Sequence, residues 1–414
     1  MALDRKTITF LLVAAAIFTD MMAYSLVIPV LPSYAMSLGA DRLTIGVIFG
    51  AFSVALLACS IPAGLLSDRT GRRPIMVLGM LTLAVASVAF ASSANVSVLV
   101  AARLVQGASG AATWSAGLAL LADMYGPGER GEKLGLALSV MSIGMLLGPV
   151  FGGVVYDHLG YAPTFVLPAA IACAIGLAFG VCRLEPAGAP MGEGTAPHKG
   201  SAASNNGGAG YLGPVFAAPA AFLACGVVIV VGAATFGLIE PYMPVYLYQA
   251  FAASPTAIGL AFGGMALLSA ATQPLAGRLY DRHGGRAIIA AGLLASSAVI
   301  AASVLAPTLP LTAGALALLG IPISCVLSPT LPLLGDLYGG RGGGSRGFAY
   351  GAYNTLFSAG LALGPFAGGL LVARLSLPAT LLGHAALLAA VGVLGYFFLA
   401  TTRREEPLVP AAKM

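Results

Sequence analysis

Charge is what this sequence lacks most. Only 8% of its 414 residues are Asp, Glu, Lys or Arg, while 58% are hydrophobic; a soluble chain carries about 25% charged residues. That deficit excludes an ordinary soluble domain and makes lipid the solvent for most of the chain. Catalytic and metal-binding patterns are missing as well. The five cysteines, Cys59, Cys173, Cys182, Cys225 and Cys325, lie in or at the ends of apolar runs without metal-ligand spacing, so they read as small core residues. No HExxH, phosphate loop or Ser/His/Asp set occurs in those runs, which argues against an enzyme and leaves no cofactor or metal to expect. No cleavable signal peptide is evident either. The first apolar run is too long, has no small-residue cleavage site and carries Asp20, so it is expected to stay as a span.

Present instead are twelve apolar stretches of about 20 residues or more, bounded by charge or by Pro/Gly turns. They run over 8–36, 43–66, 74–93, 96–124, 132–156, 162–182, 214–248, 256–280, 286–305, 309–338, 346–374 and 378–400. Several exceed the minimum for crossing a bilayer, which implies tilt or extension beyond it. With the N-terminus inside, seventeen of the twenty Lys and Arg fall in cytoplasmic segments; Arg42 and Arg374 fall outside, and Arg103 lies within a span. That bias predicts two cytoplasmic termini. The net charge of +5 is thus a topology signal, and nucleic acid is not expected as a partner.

Residues 183–212 break the apolar pattern with a Gly/Ala/Pro/Ser-rich stretch, by composition a flexible cytoplasmic linker between units 1–182 and 213–414. The units repeat each other. Gly64-Leu65-Leu66-Ser67-Asp68-Arg69-Thr70-Gly71-Arg72-Arg73 returns, degraded, 213 residues later from Gly277 to Arg286, and Gly144–Gly153 (GMLLGPVFGG) returns 216 residues later as GLALGPFAGG. The expected fold is an all-α membrane protein whose twelve transmembrane helices form two pseudo-symmetric six-helix bundles, the layout of transporters that rock around a central site.

On these motifs the whole chain resembles the major facilitator superfamily. The 64–73 loop is similar to that family's cytoplasmic signature, Arg103-Leu104-Val105-Gln106-Gly107 to its proton-coupling motif, and Gly144–Gly153 to the motif of its antiporter branch. Asp20 with Pro29 and Pro32, Glu240-Pro241 opening EPYMP, and the run from Arg103 to Leu121-Ala122-Asp123-Met124-Tyr125 narrow the resemblance to vesicular amine transporters and bacterial drug:proton antiporters. Phe52 stands where those amine transporters carry lysine, and Ser324 and Asn354 where they carry aspartates, so stoichiometry and natural substrate are not carried over. Without a long glycosylated loop between the first two spans, a bacterial inner membrane is the expected location.

The residues themselves point the same way. Asp20 and Glu240 each sit inside an apolar span, where a charge costs on the order of 3 kcal/mol or more and marks an ion or substrate path. With Arg103 they sum to one negative charge, which favours a cation or a proton. Arg103 stays charged and needs a partner. A carboxylate beside such a group is held ionised, whereas one desolvated alone favours its neutral form; one acid is therefore expected to carry protons while the other meets an amine. The proline register places Asp20 nearer the cytoplasm than Glu240, by about 12 Å at 1.5 Å per residue.

Tyr24, Tyr246, Tyr350, Asn354 and Phe357 complete the expected substrate pocket around Asp20 and Glu240, the aromatics through cation–π contact, with packing as the alternative for each. Trp114, the sole tryptophan, reads as core. Arg103 and Gln106 are the expected coupling pair, with helix packing as the alternative. The resemblance implies a conformational lock at Gly64, Asp68, Arg69, Gly71, Arg72 and Asp123, with Asp68 capping the eleventh span and Arg72 pairing with Asp123. Gly144, Gly148, Pro149, Gly152 and Gly153 fit a bent, closely packed fifth span. The function expected is proton-coupled antiport of organic cations, amines or lipophilic drugs by a monomer in lipid. Its alternatives are a symporter of another metabolite, which needs more basic or amide groups in the core, and a non-transporting sensor, which needs a folded partner domain.

Overall fold

The computed structural model describes residues 4–181, 219–339 and 346–399; the 183–212 linker lies outside them. Fourteen helices account for twelve membrane spans, and no strand occurs among the described residues. The first half holds α1 (Arg5–Ser25), α2 (Val27–Ser37), α3 (Arg42–Thr70), α4 (Arg72–Ala91), α5 (Val96–Met124), α6 (Pro127–Leu159) and α7 (Tyr161–Val181). The second holds α8 (Pro219–Phe251), α9 (Pro255–His283), α10 (Gly285–Leu305), α11 (Leu309–Leu318), α12 (Gly320–Gly339), α13 (Arg346–Arg374) and α14 (Leu377–Phe398).

Two spans consist of two helices each. α1 and α2 break around Leu26, and α11 and α12 around Leu319. Pro29 and Pro322 stand four residues past Ser25 and Leu318, the last residues before each break. A proline lacks the N–H that would bond that carbonyl, and its ring crowds it. Elsewhere capping sets the helix starts: Asp41, Asn95, Ser254 and Ser376 each accept the backbone N–H three residues on, which satisfies one otherwise orphaned donor. The Asp41 carboxyl is held below its ordinary pKa by the Thr44 bond.

Within the halves α1 packs on α6, α3 on α5 and α4 on α7, as α8 packs on α13 and α10 on α14. Between the halves α3 meets α13, and α6 meets α9. Glycine rows make these contacts close. A Cβ at Gly144 would lie 2.6 Å from the Phe18 carbonyl oxygen and one at Gly148 2.7 Å from that of Met22, with Gly152 facing Leu26. The second half repeats the row: Gly360 faces Val230, Gly364 would meet the Ala234 carbonyl at 2.6 Å, and Gly368 faces Leu238. The seams repeat too, since Gly46 faces the Pro365 carbonyl and Gly259 that of Pro149. Gly71 and Gly284 turn the chain after α3 and α9 with φ of 95° and 78°, values that L side chains avoid. The internal repeat is therefore a repeat of packing.

The two ends of the molecule differ. At the end carrying Arg42 the halves are bonded: the Tyr242 hydroxyl donates to the carbonyls of Arg42 and Pro365, and the Thr256 N–H donates to Asp157 Oδ2 at 2.9 Å. At the end carrying Asp68, among the described residues, the polar contacts stay inside the first half.

Candidate functional site

Three ionisable side chains are buried where α1, α5 and α8 approach. Asp20 is 2% exposed, Arg103 1% and Glu240 3%. Each is held differently. Glu240 Oε2 accepts the Tyr24 hydroxyl at 2.6 Å, within the short range of bonds to a carboxylate. Asp20 Oδ2 accepts the Trp114 indole N–H at 2.9 Å, and its Oδ1 has no protein partner. Arg103 donates to Gln106 Oε1 at 2.8 Å, and Gln106 passes the chain on to the Ala23 carbonyl at 3.0 Å.

Arg103 corrects an expectation. It makes no ion pair among the described residues. Its guanidinium instead lies over the rings of Tyr24, Phe49 and Phe52, at 5.5, 5.0 and 4.9 Å from their centroids. A desolvated cation–π contact contributes about 2 kcal/mol, so three rings can replace a carboxylate while leaving both acids available. Phe52, where the amine transporters carry lysine, is one of them. Tyr24 belongs to both systems, with its ring under Arg103 and its hydroxyl on Glu240.

The axial order follows from the helices. Arg103, Gln106, Gly110 and Trp114 succeed one another along α5 from the Arg42 end towards the Asp68 end, and Trp114 bonds Asp20 while Gln106 bonds at Ala23. Asp20 thus lies nearer the Asp68 end than Tyr24 and the Glu240 it binds, the order the proline register predicts.

The expected aromatic pocket is only partly assembled. Tyr246 is committed elsewhere: its hydroxyl donates to the Val304 carbonyl at 2.7 Å and its ring meets Phe251 edge-on, because six residues of helix carry it about 9 Å past Glu240. Phe357 stacks on Tyr353 within α13, and Asn354 is exposed. The Tyr350 side chain lies outside the described ones. Ser324 shares a 2.7 Å hydrogen bond with Ser269 and thereby fastens α12 to α9. Trp114, read from sequence as core, is instead a ligand of Asp20. Its spacing carries the signal, because eleven residues after Arg103 is three helical turns and the same face of α5.

The loop after α3 forms its own network. Arg72 bonds Asp123 Oδ2 and Ser67 Oγ, both at 3.0 Å, and pairs with Asp68. Arg73 donates to the carbonyls of Phe179 and Gly180 at the end of α7. Arg69 is exposed, and a Cβ at Gly64 would meet nothing within 4 Å. Asp68 is engaged with Arg72 here; the α13 end it is expected to cap has its first side chains outside the described ones.

Known proteins place this arrangement. An uncharacterised MFS-type transporter of Schizosaccharomyces pombe is 34% identical over 170 residues, 39% of this chain and 38% of that one. The chromaffin granule amine transporter of Homo sapiens is 27% identical over 371 residues, 88% and 67% of the two chains. The chain spans little more than a third of the length of the first curated relatives it matches. A bacterial homologue of the human lysosomal transporter Spinster, solved in an inward-facing, unoccupied conformation, superposes with a TM-score of 0.75 at 15% identity over 96% of this chain and 95% of its own. Residues 13–239 and 223–414 both match the Major Facilitator Superfamily. With twelve spans, the mirrored bundles and these matches together, the chain belongs to the Major Facilitator Superfamily, whose members are membrane transporters and not enzymes.

Proposed function

We propose that this protein is a proton-coupled antiporter that exports organic cations or amines by alternating access. The observation that carries the reading is the pair of buried acids, Asp20 on α1 and Glu240 on α8, whose shared arginine is neutralised by no ion pair. With all three ionised the site is one charge negative. A proton or a protonated amine removes that excess, and the two compete for the same acids. Exclusive occupancy, combined with opening to one side at a time, makes exchange obligatory. The chromaffin granule amine transporter among its relatives supports an amine as cargo.

The positive-inside bias puts the Asp68 end and both termini in the cytoplasm. On that orientation this structure is closed to the outside, with the 64–73 loop and Asp123 poised to lock the opposite side when the halves rock. Each half with its six spans moves as a unit joined by the 183–212 linker, and one chain in a bacterial inner membrane suffices. Reconstituted vesicles with an imposed pH gradient test the reading. Asp20→Asn and Glu240→Gln should each abolish gradient-driven uptake of a cationic amine; undiminished uptake in both overturns it.

A further inference from the structure

Trp114 is the only tryptophan in the chain, and its place beside Asp20 is specific. With Leu56 and Met141 it packs on a small cluster of Met21, Tyr24 and Phe52, separate from the main apolar core. Its indole N–H holds Asp20 Oδ2, while the buried Oδ1 is bonded by no protein group. Facing the carboxylate, one turn before Trp114, is Gly110, where even a Cβ would stand 3.4 Å from Oδ2 and 3.7 Å from Oδ1. α5 thus presents no side chain there. The titratable and charged groups around this point are Arg103 on α5, Tyr24 on α1 and Glu240 on α8; Phe52 and Leu56 from α3 and Met141 from α6 do not titrate.

An indole N–H is a donor and cannot accept. It therefore occupies one oxygen of Asp20 whatever the state of the acid, and the other oxygen alone is left to take a proton or a ligand N–H. We propose that Trp114 is a positioning residue that makes Asp20 a single-acceptor site, selective for ammonium over guanidinium cargo. A guanidinium binds a carboxylate best as a fork, through two parallel N–H bonds to both oxygens. With Oδ2 held by Trp114 the fork has only one tine to use. An ammonium loses nothing, since one N–H on Oδ1 suffices and its apolar body lies on the Trp114 and Phe52 rings. This selectivity rests on Asp20 being an exchange site; the indole–carboxylate relationship does not.

The test uses the full-length chain and the tryptophan as its own probe. Emission excited at the red edge of indole absorption is followed against pH in wild type, Asp20→Asn and Glu240→Gln. Wild type and Glu240→Gln should titrate, and Asp20→Asn should be flat; a flat wild type, or an Asp20→Asn protein that titrates like wild type, overturns the positioning role. Phenethylamine and phenethylguanidine are then compared as inhibitors of dye uptake. The amine should be favoured about tenfold in wild type, the weight of one hydrogen bond to a charged group, and Trp114→Phe should erase the preference. An unchanged ratio in Trp114→Phe, or inhibition by neither compound, overturns the selectivity. If Asp20→Asn still couples uptake to protons while Trp114 emission follows Asp20, the antiport reading fails and the positioning role stands.

Discussion

The Tyr24 hydroxyl and the Glu240 carboxylate are joined by a 2.6 Å hydrogen bond that crosses from the first half of the molecule to the second. It lies at the level of the buried charges, under Arg103, whose guanidinium is 5.5 Å from the Tyr24 ring. The chemistry of Glu240 is therefore tied to how the halves sit. Rocking the halves apart at this level strips the carboxylate of its donor, and altering the carboxylate changes what the halves gain by meeting.

Tyr24→Phe removes that donor and keeps the ring. A hydrogen bond to a charged group contributes about 1.5–3 kcal/mol, so the catalytic efficiency (kcat/KM) of proton-driven uptake should fall at least tenfold. Adding Glu240→Gln should then cost little more, because partners in one bond are non-additive by about 0.5–3 kcal/mol. Fully additive losses in a double-mutant cycle would show that the two act independently.

Gly148→Ala should loosen the α1–α6 contact. The new Cβ would press on the Met22 carbonyl at 2.7 Å, a backbone atom that cannot rotate away. Overpacking of this kind costs about 1–3 kcal/mol, read as a lower midpoint of thermal denaturation in detergent. Gly135→Ala on the same helix has nothing within 4 Å of its Cβ and should leave the midpoint unchanged or raised. Equal losses at both positions would place the cost in α6 itself.

Asp157→Ala should open the Arg42 end. Asp157 caps α9 of the opposite half through the Thr256 N–H, and loss of a helix cap costs about 0.5–2 kcal/mol. That cost falls on the state seen here and not on one with the halves parted at this end. A Ser33→Cys reporter in a cysteine-free background should label several times faster when Asp157→Ala is added. No change in labelling rate would make the cap incidental to closure.

Much of this architecture is legible in the chain because lipid is a strict solvent. Apolar runs of spanning length and the asymmetry of Lys and Arg leave few arrangements, and the duplicated glycine motifs anticipate the mirrored rows on α6 and α13. The site is less legible. Sequence spacing identifies Asp20, Arg103 and Glu240 as costly, but the partners of Arg103 come from α1 and α3, and which faces of those helices turn towards α5 is a matter of packing. For that reason a carboxylate partner is the natural expectation and three rings are what the structure supplies. Trp114 was within reach of a same-face reading of α5. Tyr246 fails for the complementary reason: it is near Glu240 in sequence, yet six residues of helix rotate and lift it away.

The break at Leu26 divides the first span just beyond Tyr24. Below it α1 keeps Asp20 and Tyr24 against α5 and α6; above it α2 is wedged between α6 and α8 and also reaches α9. The part that plugs the Arg42 end is therefore an eleven-residue peg on a one-residue joint. Cargo at the acids meets a plug lighter than half a protein, and the peg can swing without disturbing the carboxylates beneath it.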